Sequence, residues 1–166
     1  MRSWRVDKVL VINASPLILL ARIERLDLLV SLAKSIIVPE AVIHEIQAGS
    51  HLDGAADRIK ALTSIVQVDN QVMSDRLRLW DLGAGESQVL AHGLQRPGSE
   101  VVLDDLAARR CARSLGLPMI GTLGIVILCR HRGILSAARP VVEALCDSGL
   151  RLKPTLMDEA LAKVGE

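Results

Sequence analysis

Short runs rich in β-branched residues recur along the chain at 9–13, 35–38, 65–68, 100–104 and 117–121, and several are apolar throughout. A strand with one face in water alternates apolar and polar side chains, whereas an unbroken apolar run asks for cover on both faces. Segments of helical period lie between and after the runs, at 16–31, 39–48, 53–62, 71–80, 85–95, 105–116, 122–132, 137–148 and 155–164. Strand alternating with helix predicts an α/β fold, a three-layer α/β/α sandwich with a central, mainly parallel sheet. Local punctuation agrees. Pro39 suits a first helical turn and Gly49 follows that helix, while Gly83 and Gly85 precede another that Gly93 and Pro97-Gly98 close.

No internal repeat or long linker interrupts the pattern, and 166 residues suit one domain. The expectation is a single domain over 1–166, with its core at about 9–150 and a last helix at 155–164. The polar stretch 48–54 is the only candidate flexible insert. Phe and Tyr are absent and Trp4 and Trp80 are the only aromatic residues, so the core must be aliphatic. The same shortage argues against nucleic-acid recognition by base stacking. A formal charge of +1 leaves any polyanion site to local patches. Cys111, Cys129 and Cys146 are odd in number and lack metal-ligand spacing, which suits a reducing, cytoplasmic setting. No apolar run approaches the roughly 18 residues of a membrane span, so no membrane partner is expected. Arg2, Arg5 and Lys8 ahead of an apolar stretch imitate a signal peptide, but Asn13, Ser15 and Pro16 interrupt the stretch and Arg22 follows where a cleavage site would sit.

Ligands of open parallel sheets bind outside the carboxyl ends of the strands, so the residues delivered there matter most. The first strand ends at Asn13, followed closely by Ser15; the fourth ends at Asp104-Asp105, the fifth at Gly121-Thr122. Two helix residues can join them. Glu45 borders the apolar stripe of Val42, Ile43 and Ile46, and Glu86 opens a helix just after Gly83-Ala-Gly85. Carboxylates gathered from different elements repel unless a cation neutralises them, and hard oxygen donors suit Mg²⁺ or Mn²⁺ better than zinc. Each residue also has a purely structural reading. Asp104 and Asp105 can cap the 105–116 helix, with Asp105 pairing to Arg109 one turn on. Glu86 suits a helix dipole, Glu45 a solvated face, and Asn13 a turn.

Arg109, Arg110 and Arg113 share a face of the 105–116 helix, and Arg22, Arg25, Arg130 and Arg132 add smaller groups. Such residues can hold phosphates without reading sequence, or simply face water. His44, His51, His92 and His131 show no zinc spacing, and neither a phosphate-loop lysine motif nor a nucleophile elbow is present.

The sequence resembles the PIN-domain family, and more narrowly a PIN-like subfamily of poorly characterised prokaryotic proteins related to VapC-type toxin ribonucleases. The resemblance runs from about 9 to 160. It rests on Val11-Ile-Asn-Ala-Ser-Pro-Leu-Ile18, Val38-Pro-Glu-Ala-Val-Ile-His-Glu-Ile46, Gly85-Glu86, Leu103-Asp-Asp-Leu-Ala-Ala-Arg109 and Gly121-Thr-Leu-Gly-Ile125. It implies acidic residues around a parallel sheet that hold Mg²⁺ or Mn²⁺ and cleave RNA phosphodiesters. By that resemblance Asn13, Glu45, Glu86, Asp104 and Asp105 are the metal positions, the four acids carry catalysis, and Ser15 and Thr122 are supporting polar residues. Asn13 departs from the pattern, standing where the family usually has an aspartate. Its amide oxygen can ligate Mg²⁺ but brings no negative charge.

The expectation is therefore a metal-dependent endoribonuclease, the toxin of a toxin–antitoxin pair, with Arg109, Arg110 or Arg113 on the RNA backbone. An antitoxin protein and a second copy of the chain are the expected protein partners. Two alternatives stand beside it. One is a PIN-like RNA- or protein-binding regulator with a weakened metal site, motivated by Asn13. The other is a receiver-like phosphoacceptor, against which the missing lysine at Gly121-Thr122 counts.

Overall fold

The computed structural model describes residues 8–49 and 53–166. Trp4, Arg2, Arg5 and His51 lie outside the described residues, as does the middle of the 48–54 stretch. Five parallel strands form one sheet: β1 (Val9–Ile12), β2 (Ser35–Pro39), β3 (Ile65–Val68), β4 (Glu100–Val102) and β5 (Met119–Ile120), in the order β3-β2-β1-β4-β5. The sheet is thus wholly parallel, beyond the mainly parallel expectation.

Register is set by side chains that have no exposed face to choose. Val9–Val11 of β1 pair with Ser35–Ile37 on one side and Leu10–Ile12 with Glu100–Val102 on the other, and Leu10, Val11 and Ile12 are buried. Burying an aliphatic side chain of this size stabilises by about 1.5–3 kcal/mol, so the centre of the sheet anchors the fold. The edge strand β3 is different: Val66 and Gln67 face solvent.

The strands are joined by α1 (Ala14–Arg22), α2 (Asp27–Leu32), α3 (Glu40–Ala48), α4 (Ala55–Lys60), α5 (Asp75–Arg78), α6 (Ala84–Gln95) and α7 (Leu106–Ser114). After β5 come α8 (Thr122–His131), α9 (Arg139–Asp147) and α10 (Pro154–Ala162). These helices form the outer layers of an α/β/α sandwich. α6 lies across β1, β2 and β4 with α7 beside it, while α2 covers β2 and meets α8, against which α9 and α10 pack.

Three expectations need correction. The single helix over 16–31 is two helices, because Glu24 adopts a left-handed backbone (φ +58°) and turns the chain between them. The helix over 71–80 shrinks to α5, where Ser74 Oγ accepts from the Leu77 N–H, and Val72 and Leu79 on either side are largely exposed. Pro39 ends β2 and precedes the helix, so Glu40, not the proline, opens α3. All three cysteines are free; Cys111 and Cys129 are buried, and burial pushes the Cys129 thiol up to about 11.

Candidate functional site

The direction of chain crossing reverses at β1. β2 and β3 build outward on one side of it, β4 and β5 on the other. The crevice outside the carboxyl ends of β1 and β4 is therefore the topological switch point, where sheets of this kind bind ligands.

Asn13 follows β1 directly, its N–H donating to Val102 O at 3.2 Å, which continues the ladder past the strand end. The residue is 4% exposed, and its Oδ1 has no hydrogen-bond partner. Buried polar atoms are nearly always paired, and an orphan costs roughly 1–3 kcal/mol. Asp104 lies just past β4. Its Oδ1 accepts from the Thr122 N–H at 2.8 Å and its Oδ2 from Thr122 Oγ1 at 2.6 Å, which ties β4 to the start of α8. Asp105 is the N-cap of α7, its Oδ2 accepting from the Ala108 N–H at 2.9 Å.

Two glutamates arrive from helices. Glu86, in the first turn of α6, accepts from the Gly83 N–H at 2.9 Å. Burial and then the charge of Asp105 raise its proton affinity, with a further push from Glu45; hydrogen bonds from Gly83 and the Asn13 side chain oppose this. Glu45 crosses from α3 to accept from the Gly85 N–H at 2.8 Å. A Cβ at Gly85 would sit 2.6 Å from Glu45 Oε2, so only glycine leaves room for that carboxylate.

Asn13, Ser15, Glu86, Asp104 and Asp105 line one cleft of about 370 Å³. Glu45 does not line it, though its charge is felt at Glu86. Capping and convergence thus coexist, since each acid accepts a backbone N–H near a helix start while Glu86, Asp104 and Asp105 line the same cleft. Thr122 is buried behind Asp104. Arg109 turns inward: its Nη1 donates to Leu103 O at 3.0 Å, and it takes this carbonyl instead of the expected pairing with Asp105. Arg110 and Arg113 are exposed on α7.

The larger groove of about 460 Å³ between α3, α4 and β3 is lined by Ile43, Ile46, Ile59, Leu62 and Ile65 together with Gln47, Asp57, Lys60 and Gln67, and only one of these is a carboxylate. Chemistry favours the smaller cleft. Of the histidines, His44 is exposed near Glu40 and His131 is exposed on α8. His92 is buried, with Nε2 2.9 Å from Asp69 O and Nδ1 2.6 Å from Arg96; burial lowers its proton affinity. None of these three joins the cleft.

Among the described residues, no three His, Cys, Asp or Glu side chains are grouped to hold a metal ion. The described residues therefore present no cage of protein ligands such as structural zinc requires. A hard divalent cation asks for less: Mg²⁺ usually takes one or two carboxylates and completes its shell with water and phosphate oxygens. An orphaned amide oxygen beside crowded carboxylates fits that demand. Reading the sequence for strand ends and helix starts missed Arg151, which lines the cleft with Gly149 and Leu150 from the turn after α9. Gly149 ahead of Arg151 marked a turn there, but nothing in its spacing related it to β1.

A family model described as a PIN domain matches residues 9–166 of the chain. No curated protein matches it significantly.

Proposed function

The chain belongs to the PIN-domain family, and from that premise we propose that it is a divalent-metal-dependent ribonuclease acting in the cleft beyond β1 and β4. The observation that carries this reading is the buried, unpartnered Oδ1 of Asn13 in a cleft with Glu86, Asp104 and Asp105. Asn13 Oδ1 and the Glu86 and Asp105 carboxylates would hold Mg²⁺ or Mn²⁺. The ion, when bound, supplies Lewis-acid polarisation of a phosphoryl oxygen and acidifies water. Asp104, braced by both Thr122 donors, keeps the β4 end and the α8 start in fixed relation and adds negative potential. Glu45 performs the same service for the start of α6 through Gly85. Burial and the neighbouring charge of Asp105 raise the proton affinity of Glu86, a cost that a bound cation would offset. The toxin role rests on the resemblance to VapC-type proteins.

The test is cleavage of a single-stranded RNA with and without Mn²⁺ or Mg²⁺, using wild type, Asp104→Asn and Glu45→Gln. Metal-dependent cleavage by wild type, reduced at least about tenfold in both variants, is the expected result. Equal activity in all three removes the proposed site.

A second reading is favoured by Asn13 being neutral and by every acid of the set already holding a backbone N–H. On it the chain binds RNA or a protein through this cleft without cleaving. RNA binding without metal-dependent cleavage, and activity created by Asn13→Asp, would establish it.

A further inference from the structure

Among the described residues, Arg151 is the one basic side chain lining the carboxylate cleft. It is exposed and, among the described residues, has neither a hydrogen-bond nor an ion-pair partner, although Glu86, Asp104 and Asp105 line the same space. The backbone that presents it is well held. Gly149 takes φ +117°, a conformation that strains other residues. The N–H of buried Leu150 donates to Leu145 O at 2.9 Å. Ser148 O accepts from Arg22 Nη1 at 3.2 Å, and Arg22 Nε is itself paired with Asp53 at 2.7 Å.

A guanidinium on an anchored turn, beside acids yet bonded to none, is free to bind an anion that enters the cleft. Its planar fork matches two oxygens of a phosphate. Arg109 cannot substitute, because its Nη1 is committed to Leu103 O, and Arg110 and Arg113 do not line the cleft. Phe and Tyr are absent and Trp80 does not line the cleft, so among the described residues the grip there on a nucleic acid falls to backbone charge. We propose that Arg151 binds a backbone phosphate of single-stranded RNA at the mouth of the cleft, an assignment that rests on the ribonuclease reading above. Arg151 sets substrate binding, and Asn13 with the acids sets cleavage.

Binding of a fluorescent single-stranded RNA to wild type, Arg151→Ala and Arg151→Lys, measured by anisotropy over a range of NaCl concentrations, tests this. Ca²⁺ replaces Mg²⁺ in the titration, and cleavage in Mg²⁺ is followed in parallel. The expected result is weaker binding by Arg151→Ala, with the slope of log K against log salt smaller by about 0.7, the loss of one phosphate contact on a single strand. Arg151→Lys recovers the slope, KM rises more than kcat falls, and the melting temperature stays at the wild-type value because the side chain has no partner to lose. An unchanged slope and affinity in Arg151→Ala, with wild type binding and cleaving RNA, overturns the assignment and leaves the ribonuclease reading intact. A wild-type protein that neither binds nor cleaves RNA overturns both.

Discussion

At the scale of single residues, two glycines of α6 face neighbours at the same distance with opposite consequences. A Cβ at Gly85 meets Glu45 Oε2 at 2.6 Å, and a Cβ at Gly93 meets Val101 Cγ1 at 2.6 Å. Glu45 is an exposed side chain that can swing away, whereas Val101 is locked in the sheet. Gly93→Ala should therefore lose about 1–3 kcal/mol of stability by overpacking. Gly85→Ala should melt at or above the wild-type temperature, since alanine favours a helix by roughly 0.5–1 kcal/mol, yet lose RNA cleavage as Glu45 is displaced. Thermal denaturation beside a cleavage assay separates the two. Glu86 gives a pH signature. The folded protein holds this proton at higher pH than the unfolded chain does, so the stabilising contribution is present below the ordinary glutamate range and is lost as pH rises through the raised value. Glu86→Gln keeps an oxygen for the Gly83 N–H and removes that loss. Its melting temperature without metal should exceed that of wild type at neutral pH, with the gap closing toward acid pH; a gap that is constant with pH would contradict the assigned cause.

At the scale of elements, α9 begins at Arg139, and its N-cap Ala138 has no side-chain acceptor to cap it. Glu166 supplies the acceptors: its carboxylate takes the N–H groups of Ala138 and Arg139, each at 2.9 Å, and Arg130 Nε at 2.9 Å. These bonds, the Arg139 and Ala138 N–H groups first, lower the proton affinity of Glu166. The stabilisation is present above the ordinary glutamate range and lost as pH falls through the depressed value. Glu166→Gln should thus melt below wild type at neutral pH and match it in acid, as followed by circular dichroism. The elements differed in how far the sequence announced them. VLVI and SIIV could only be buried strands, and β3 matched its expected limits at 65–68. The break at Glu24 was hidden, because no glycine or proline marks it and the leucines of α1 and α2 read as one continuous stripe. At α5 the apolar Val72 and Leu79 counted toward a helical period, but both face water.

At the scale of the whole molecule, the site exists because strand order sets β4 against β1 across some ninety residues of sequence. Each oxygen donor was legible alone, as a strand end or helix start: Asn13, Glu45, Glu86, Asp104 and Asp105. Which of them share a cleft was not, since convergence depends on tertiary placement that local periodicity does not encode. The same reason hid Arg151 and made Arg109 look available. Stability and function also pull apart here, because a cleft that crowds like charges and orphans Asn13 Oδ1 is held at a cost that a bound cation would offset. The described helices include none long and apolar enough to cross a membrane.

The most direct measurement of this account is anomalous diffraction at the manganese edge from a crystal soaked in Mn²⁺. The account predicts a peak in the cleft beside Asn13 Oδ1 and the Glu86 and Asp105 carboxylates. A cleft with no peak at saturating Mn²⁺, or manganese bound only elsewhere, would contradict it.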